Sequence, residues 1–99
     1  MKTIIFFSIF SVFCLNIYGQ TAEEYYNQGN LKFQLEDYKG AIADFTKAIE
    51  LSPNNSDAYY NRGLAKIFFN QQESGFLDLS KAGELVHATA YEAIKKYCN

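Results

Sequence analysis

The chain has 99 residues, 48% of them apolar and 17% aromatic, with a formal charge of −2. That length holds one small domain, and mild acidity without a basic stripe argues against a nucleic-acid backbone as ligand. The single histidine, His87, has no second histidine or nearby cysteine, so neither a zinc site nor a Cys-His nucleophile pair can be assembled around it.

Met1-Lys2-Thr3 gives a short basic start, and Ile4 to Tyr18 is then apolar except at Ser8, Ser11 and Asn16. Gly19 supplies a small residue at a cleavage position before Gln20. This order predicts a secretory signal peptide over residues 1–19, with an apolar core shorter than the ~20 residues of a membrane span. A retained N-terminal anchor is the alternative reading. Phe13 before Cys14 argues against lipoprotein processing, which wants a small residue there. The expected product is exported, periplasmic or secreted, and keeps one cysteine, Cys98, so it has no internal disulfide. Cys98 is read either as a small apolar residue under the last helix or as an exposed thiol able to couple to another chain.

Residues 22–55 and 56–89 repeat one 34-residue pattern. Tyr25/Tyr59, Tyr26/Tyr60, Asn27/Asn61, Gly29/Gly63, Lys32/Lys66, Asp44/Asp78, Lys47/Lys81, Ala48/Ala82, Glu50/Glu84 and Leu51/Leu85 are identical pairs. Periods of this length mark stacked supersecondary units, which generally bind rather than catalyse. In the first copy, Tyr26, Gly29, Asn30 and Phe33 recur at spacings of three and four, predicting a helix over Glu23 to Leu35. Asp37 then caps a second helix from about Tyr38 to Leu51, with Ala41, Ile42, Phe45, Ala48 and Ile49 at helical spacing. Ser52-Pro53-Asn54-Asn55 ends it. The second copy predicts helices from Ser56 or Asp57 to Phe69 and from near Gln71 to about Leu85. A fifth is expected over Ala90 to Tyr97. Gly29 and Gly63 are expected to face Ala41 and Gly75, because two helices approach closely only where neither carries bulk. The acidic pairs Glu23-Glu24 and Glu36-Asp37 fall at helix starts or turns, where acids favour the positive helix end.

With these residues in place, the chain resembles a tetratricopeptide repeat (TPR) protein of the small exported bacterial type. Tyr25, Gly29, Tyr38, Ala41, Phe45, Ala48 and Pro53 carry the family pattern in the first copy, and Tyr59, Gly63 and Ala82 in the second. Gly75 and Leu79 stand as substitutes, and the second copy departs at Gln72 and His87. The resemblance implies an all-α fold, a short right-handed α-solenoid: repeat 1 over 22–55, repeat 2 over 56–89 and a C-terminal capping helix over 90–99. It also implies a non-enzymatic protein–protein interaction module, an adaptor or scaffold, holding a peptide or partner protein in a concave groove. By family position the groove residues are Glu23, Tyr26, Asn30, Phe33, Gln34, Asp57, Tyr60, Leu64, Ile67 and Phe68. The alternative is a regulatory or inhibitory subunit of an exported enzyme or envelope complex. Asn30 and Asn61 match a TPR subclass that grips C-terminal carboxylates, but Tyr26 stands where its first lysine belongs. No catalytic residue, metal or cofactor is expected. Two repeats fall short of the three that usually give a stable solenoid, so weak self-association is a further expectation.

Overall fold

A computed structural model describes residues 20–85 and 89–98. Residues 1–19, where the signal peptide is expected, residues 86–88, which include His87, and the side chain of Cys98 lie outside the described residues. Among those described, all regular structure is helical: α1 (Ala22–Gln34), α2 (Tyr38–Leu51), α3 (Ser56–Phe68), α4 (Gln72–Glu84) and α5 (Thr89–Cys98).

Local chemistry sets the helix limits. Thr21 accepts a hydrogen bond from the Glu24 amide at 3.1 Å, Asp37 from Gly40 at 3.0 Å, and Asn55 from Ala58 at 3.1 Å, each satisfying an orphan donor of a first turn. Gln71, ahead of α4, makes no such bond. At the other ends, α1 and α3 close alike. The Glu36 and Asp37 amides donate to the Phe33 and Lys32 carbonyls, and those of Asn70 and Gln71 to the Ile67 and Lys66 carbonyls. This closure needs a left-handed residue, supplied by Glu36 at φ 62° and Asn70 at φ 68°. Asparagine tolerates that region; glutamate does so at a cost. Glu36→Gly should raise stability by a few tenths to about 1 kcal/mol in a urea titration, because relief at φ > 0 outweighs glycine's entropy in the unfolded chain.

Consecutive helices form tight hairpins. Tyr25 packs near Ala48 and Ile49, Gly29 against Phe45, and Phe33 against Tyr38, so α1 and α2 run antiparallel. The α3–α4 pair repeats this arrangement, and α2 and α3 pack closely to join the hairpins. Phe45 and Leu79, 34 positions apart, are the largest fully buried side chains, one at the centre of each hairpin. Ala41, Ala48, Ala58, Ala65 and Ala82 are also fully buried, and their small side chains let the helix backbones close around those two.

The glycines mark where the helices of each hairpin come closest. A Cβ on Gly63 would come within 2.8 Å of the Gly75 carbonyl oxygen, and one on Gly75 within 2.7 Å of the Gly63 oxygen, so these two residues do face each other. In the first hairpin the nearest neighbour of Gly29 is the Phe45 ring, which a Cβ would meet at 2.6 Å. The ring occupies the gap that Gly29 leaves, a role a shorter residue at position 45 could not fill.

Both hairpins also carry an ion pair on repeat-related residues. Lys32 Nζ lies 2.9 Å from Asp44 Oδ2, and Lys66 Nζ lies 2.8 Å from Asp78 Oδ2. Hydrogen bonding to Asp44 and its charge raise the Lys32 ammonium above the usual 10.5. The second pair has an addition. Arg62 grips Asp78 through Nε and Nη2, both at 2.7 Å, and its Nη1 donates to Thr46 Oγ1 of α2 at 3.2 Å. One guanidinium therefore ties α2, α3 and α4 together.

Candidate protein-binding face

The first helix of each hairpin and α5 share one face. Asn61 of α3 reaches back to Tyr26 and Asn30 of α1, while Phe68, near the end of α3, meets Phe33 of α1 and Tyr97 of α5. Tyr60, near the start of α3, lines a cavity with Glu92, Ala93 and Lys96 of α5. Early residues meet early and late meet late, so α1, α3 and α5 run parallel and side by side.

The ten residues expected to line a groove fall into three groups. Glu23, Gln34, Asp57 and Phe68 are exposed. Tyr26, Asn30, Phe33, Tyr60 and Leu64 are half-buried. Ile67 differs from the expectation: it is buried, packed with Leu79 and Ala93, and its Cγ1 lies 2.8 Å from where a Gly75 Cβ would stand. The closeness of α4 at the two glycines, together with α5, turns Ile67 into core.

The polar centre of this face is a small network. Asn61 Nδ2 donates to the Tyr26 hydroxyl at 3.0 Å and to Asn30 Oδ1 at 2.9 Å. Both amide protons of Asn61 are thereby used between helices, and a half-buried polar group is satisfied. Tyr26 in turn stacks obliquely on Phe45, with centroids 5.8 Å apart, so the face is fixed to the core beneath it.

Beside the network runs a strip of rings. Phe33 and Phe68 centroids are 5.9 Å apart, Phe68 and Tyr97 5.9 Å, and Tyr38 closes on Phe33 at 5.3 Å and on Phe68 at 5.5 Å. These separations suit edge and tilted aromatic contacts. Phe68, touched by three rings, is nevertheless 46% exposed. Sequence reasoning gave Phe33 and Phe68 to the groove but not Tyr38 or Tyr97; Tyr97 reaches the strip only because α5 lies parallel to α3.

Comparison with known proteins bears on what such a face is for. Residues 29–67, from the middle of α1 almost to the end of α3, match the TPR repeat family. That part of the chain is a TPR repeat. A stretch of 37 residues, 37% of this chain, is 49% identical to Protein STIP1 homolog of Dictyostelium discoideum, of which it covers 7%. The TPR chain therefore spans a small fraction of that relative's length. TPR repeats support a protein–protein interaction module, and none of the described helices is long and apolar enough to cross a membrane.

Proposed function

We propose that this TPR protein is a non-enzymatic adaptor, exported from the cell that makes it, which holds a peptide or partner protein on the shared face of α1, α3 and α5. The observation that carries this reading is Phe68, a large ring supported by three others yet 46% exposed on that face. A ring held in position at an open surface gives up little conformational freedom on binding, which is the property of an anchor residue. The acidic Glu23 and Asp57 in the first turns of α1 and α3 favour a ligand with basic residues beside its apolar ones.

Selection from a displayed library of random peptides tests this. The wild-type protein should enrich sequences with paired apolar residues. Phe68→Ala should weaken their binding by about tenfold, the usual effect of removing an anchor. Because Phe68 is half open, the variant should keep its helical circular dichroism. Equal binding by a folded Phe68→Ala protein would refute the assignment of this face.

A further inference from the structure

We infer that two copies of this chain associate end to end through the outer edge of the first hairpin, each α1 lying antiparallel to the other across a twofold axis. The edge uses none of the residues assigned to the shared face of α1, α3 and α5, so the inference stands apart from the reading of that face.

The 34-residue period identifies the edge. On α3, Ala58, Arg62 and Ala65 form the side laid against α2. Ala58 packs with Ala48 and Ile49, Arg62 bonds Thr46, and Ala65 packs with Ala41 and Phe45. The same positions of α1, counting back by the period, are Glu24, Gln28 and Leu31, and Leu35 continues the stripe one turn further. Among the described residues no helix covers this stripe. Leu31 is 61% exposed and Leu35 79%. Leu51 extends the edge: it follows Asp44, whose carboxylate reaches Lys32 of α1, by two helical turns, and is 57% exposed. Single exposed leucines are ordinary. Here, however, three of the six large apolar side chains exposed among the described residues share one end of the molecule.

A second copy suits this edge better than a further helix of the same stack. Where one hairpin joins the next, the stripe carries alanine and the backbones close; at the edge it carries leucine, which sets a wider spacing. The opposite end offers no apolar counterpart, because α5 packs Ala93, Ile94 and Tyr97 inward and leaves Glu92, Lys95 and Lys96 exposed. Like end therefore meets like end, an isologous contact that closes at two. Leu51 stands beside the start of α1, where Tyr25 meets Ala48 and Ile49, and Leu35 lies just past the end of α1. An axis level with Gln28 thus sets Leu35 against the partner's Leu51. Exposed Glu24 comes level with the partner's Lys32, itself 42% exposed, so charge is self-complementary as well. The edge is about 20 Å long, the length of α1, and about two helices wide. Such a contact falls below the ~1,200 Å² of stable complexes, which makes the dimer a weak one, with a dissociation constant on the order of 10–100 μM.

The test is sedimentation equilibrium of the protein expressed from its full reading frame, under reducing conditions so that cysteine coupling does not count. Wild type should pass from monomer to dimer over roughly 1–500 μM and go no further. Leu35→Glu and Leu51→Lys, each at an exposed position and so keeping helical circular dichroism, should each weaken the dimer by about tenfold or more. The double variant should return to within about threefold of wild type, since Glu at 35 then faces the partner's Lys at 51. Within one chain these two positions lie at opposite ends of α1, so the recovery can arise only between copies. A wild-type protein that stays monomeric overturns the inference, whether residues 1–19 or another protein covers the edge. So does a dimer indifferent to both single substitutions, and so does growth beyond two. A double variant as weak as the single ones overturns the antiparallel twofold arrangement.

Discussion

Asp78→Ala should cost about 3–5 kcal/mol, the largest single loss expected in the described part of this chain. The carboxylate side chain is 8% exposed and faces two cations that are themselves mostly buried, Arg62 at 15% and Lys66 at 13%. Removing it leaves both positive charges in a poorly solvated place with nothing to compensate them, and that penalty dominates the loss. Asn at 78 would keep the shape but not the charge, and should fall nearly as far. Asp44→Ala supplies the internal control. Its partner Lys32 is 42% exposed and can turn to water, so the loss should be clearly smaller. Urea unfolding of the three variants checks the order. Equal destabilisation at positions 44 and 78 would show that the bidentate arginine contributes nothing beyond a lysine pair.

Gly75→Ala should be the next most damaging, despite being favourable by helix propensity. Exchange of glycine for alanine inside a helix gains about 1 kcal/mol. Against this, the new Cβ would stand 2.7 Å from the Gly63 carbonyl oxygen, 2.8 Å from Ile67 Cγ1 and 3.2 Å from the Ile67 amide nitrogen. The Ile67 side chain can rotate, but the carbonyl and amide belong to α3 itself, so α3 and α4 must separate. Overpacking of this kind costs about 1–3 kcal/mol, and where backbone is the obstacle the upper part of that range applies. The net result should be a loss of about 1–2 kcal/mol, read from the denaturation midpoint. Gly63→Leu places more bulk in the same contact and should lose more. A Gly75→Ala protein as stable as wild type would mean the hairpin can open at that crossing without penalty.

Much of the scaffold could be read from the residues. The 34-position identities, the caps at Asp37 and the break at Pro53 located the hairpins, because each is a local signal or a copy of one. The ion pairs were visible only as repeated letters: Lys32 and Lys66 each precede an aspartate by twelve positions, Asp44 and Asp78. A charged pair preserved in both copies at positions that turn toward the core could have flagged them. Pairing small with small did not foresee the ring against Gly29, since the rule takes no account of how far Phe45 reaches. The site was less legible than the scaffold. Ile67 could not be separated from Phe68 by periodicity, as neighbours on one helix differ only in which side the next element covers. Tyr97 was out of reach for the same reason, its place depending on how α5 lies after a linker whose length breaks the repeat.

Arg62 has no counterpart in the first hairpin, where Gln28 holds the related position. Bonded to Thr46 and Asp78 at once, it makes α3 and α4, with the end of α2 nearest them, the stiffer portion of the chain. Beyond its apolar packing on α2, the polar ties described for α1 are a single, half-open lysine contact and the Asn61 bridge. Loosening should thus begin at α1 and reach α3 last. The ring strip straddles this boundary, with Phe33 on the yielding side and Phe68 on the firm one. A guest that touches both would settle the restless half against the steady half, and part of its grip would go into that quieting.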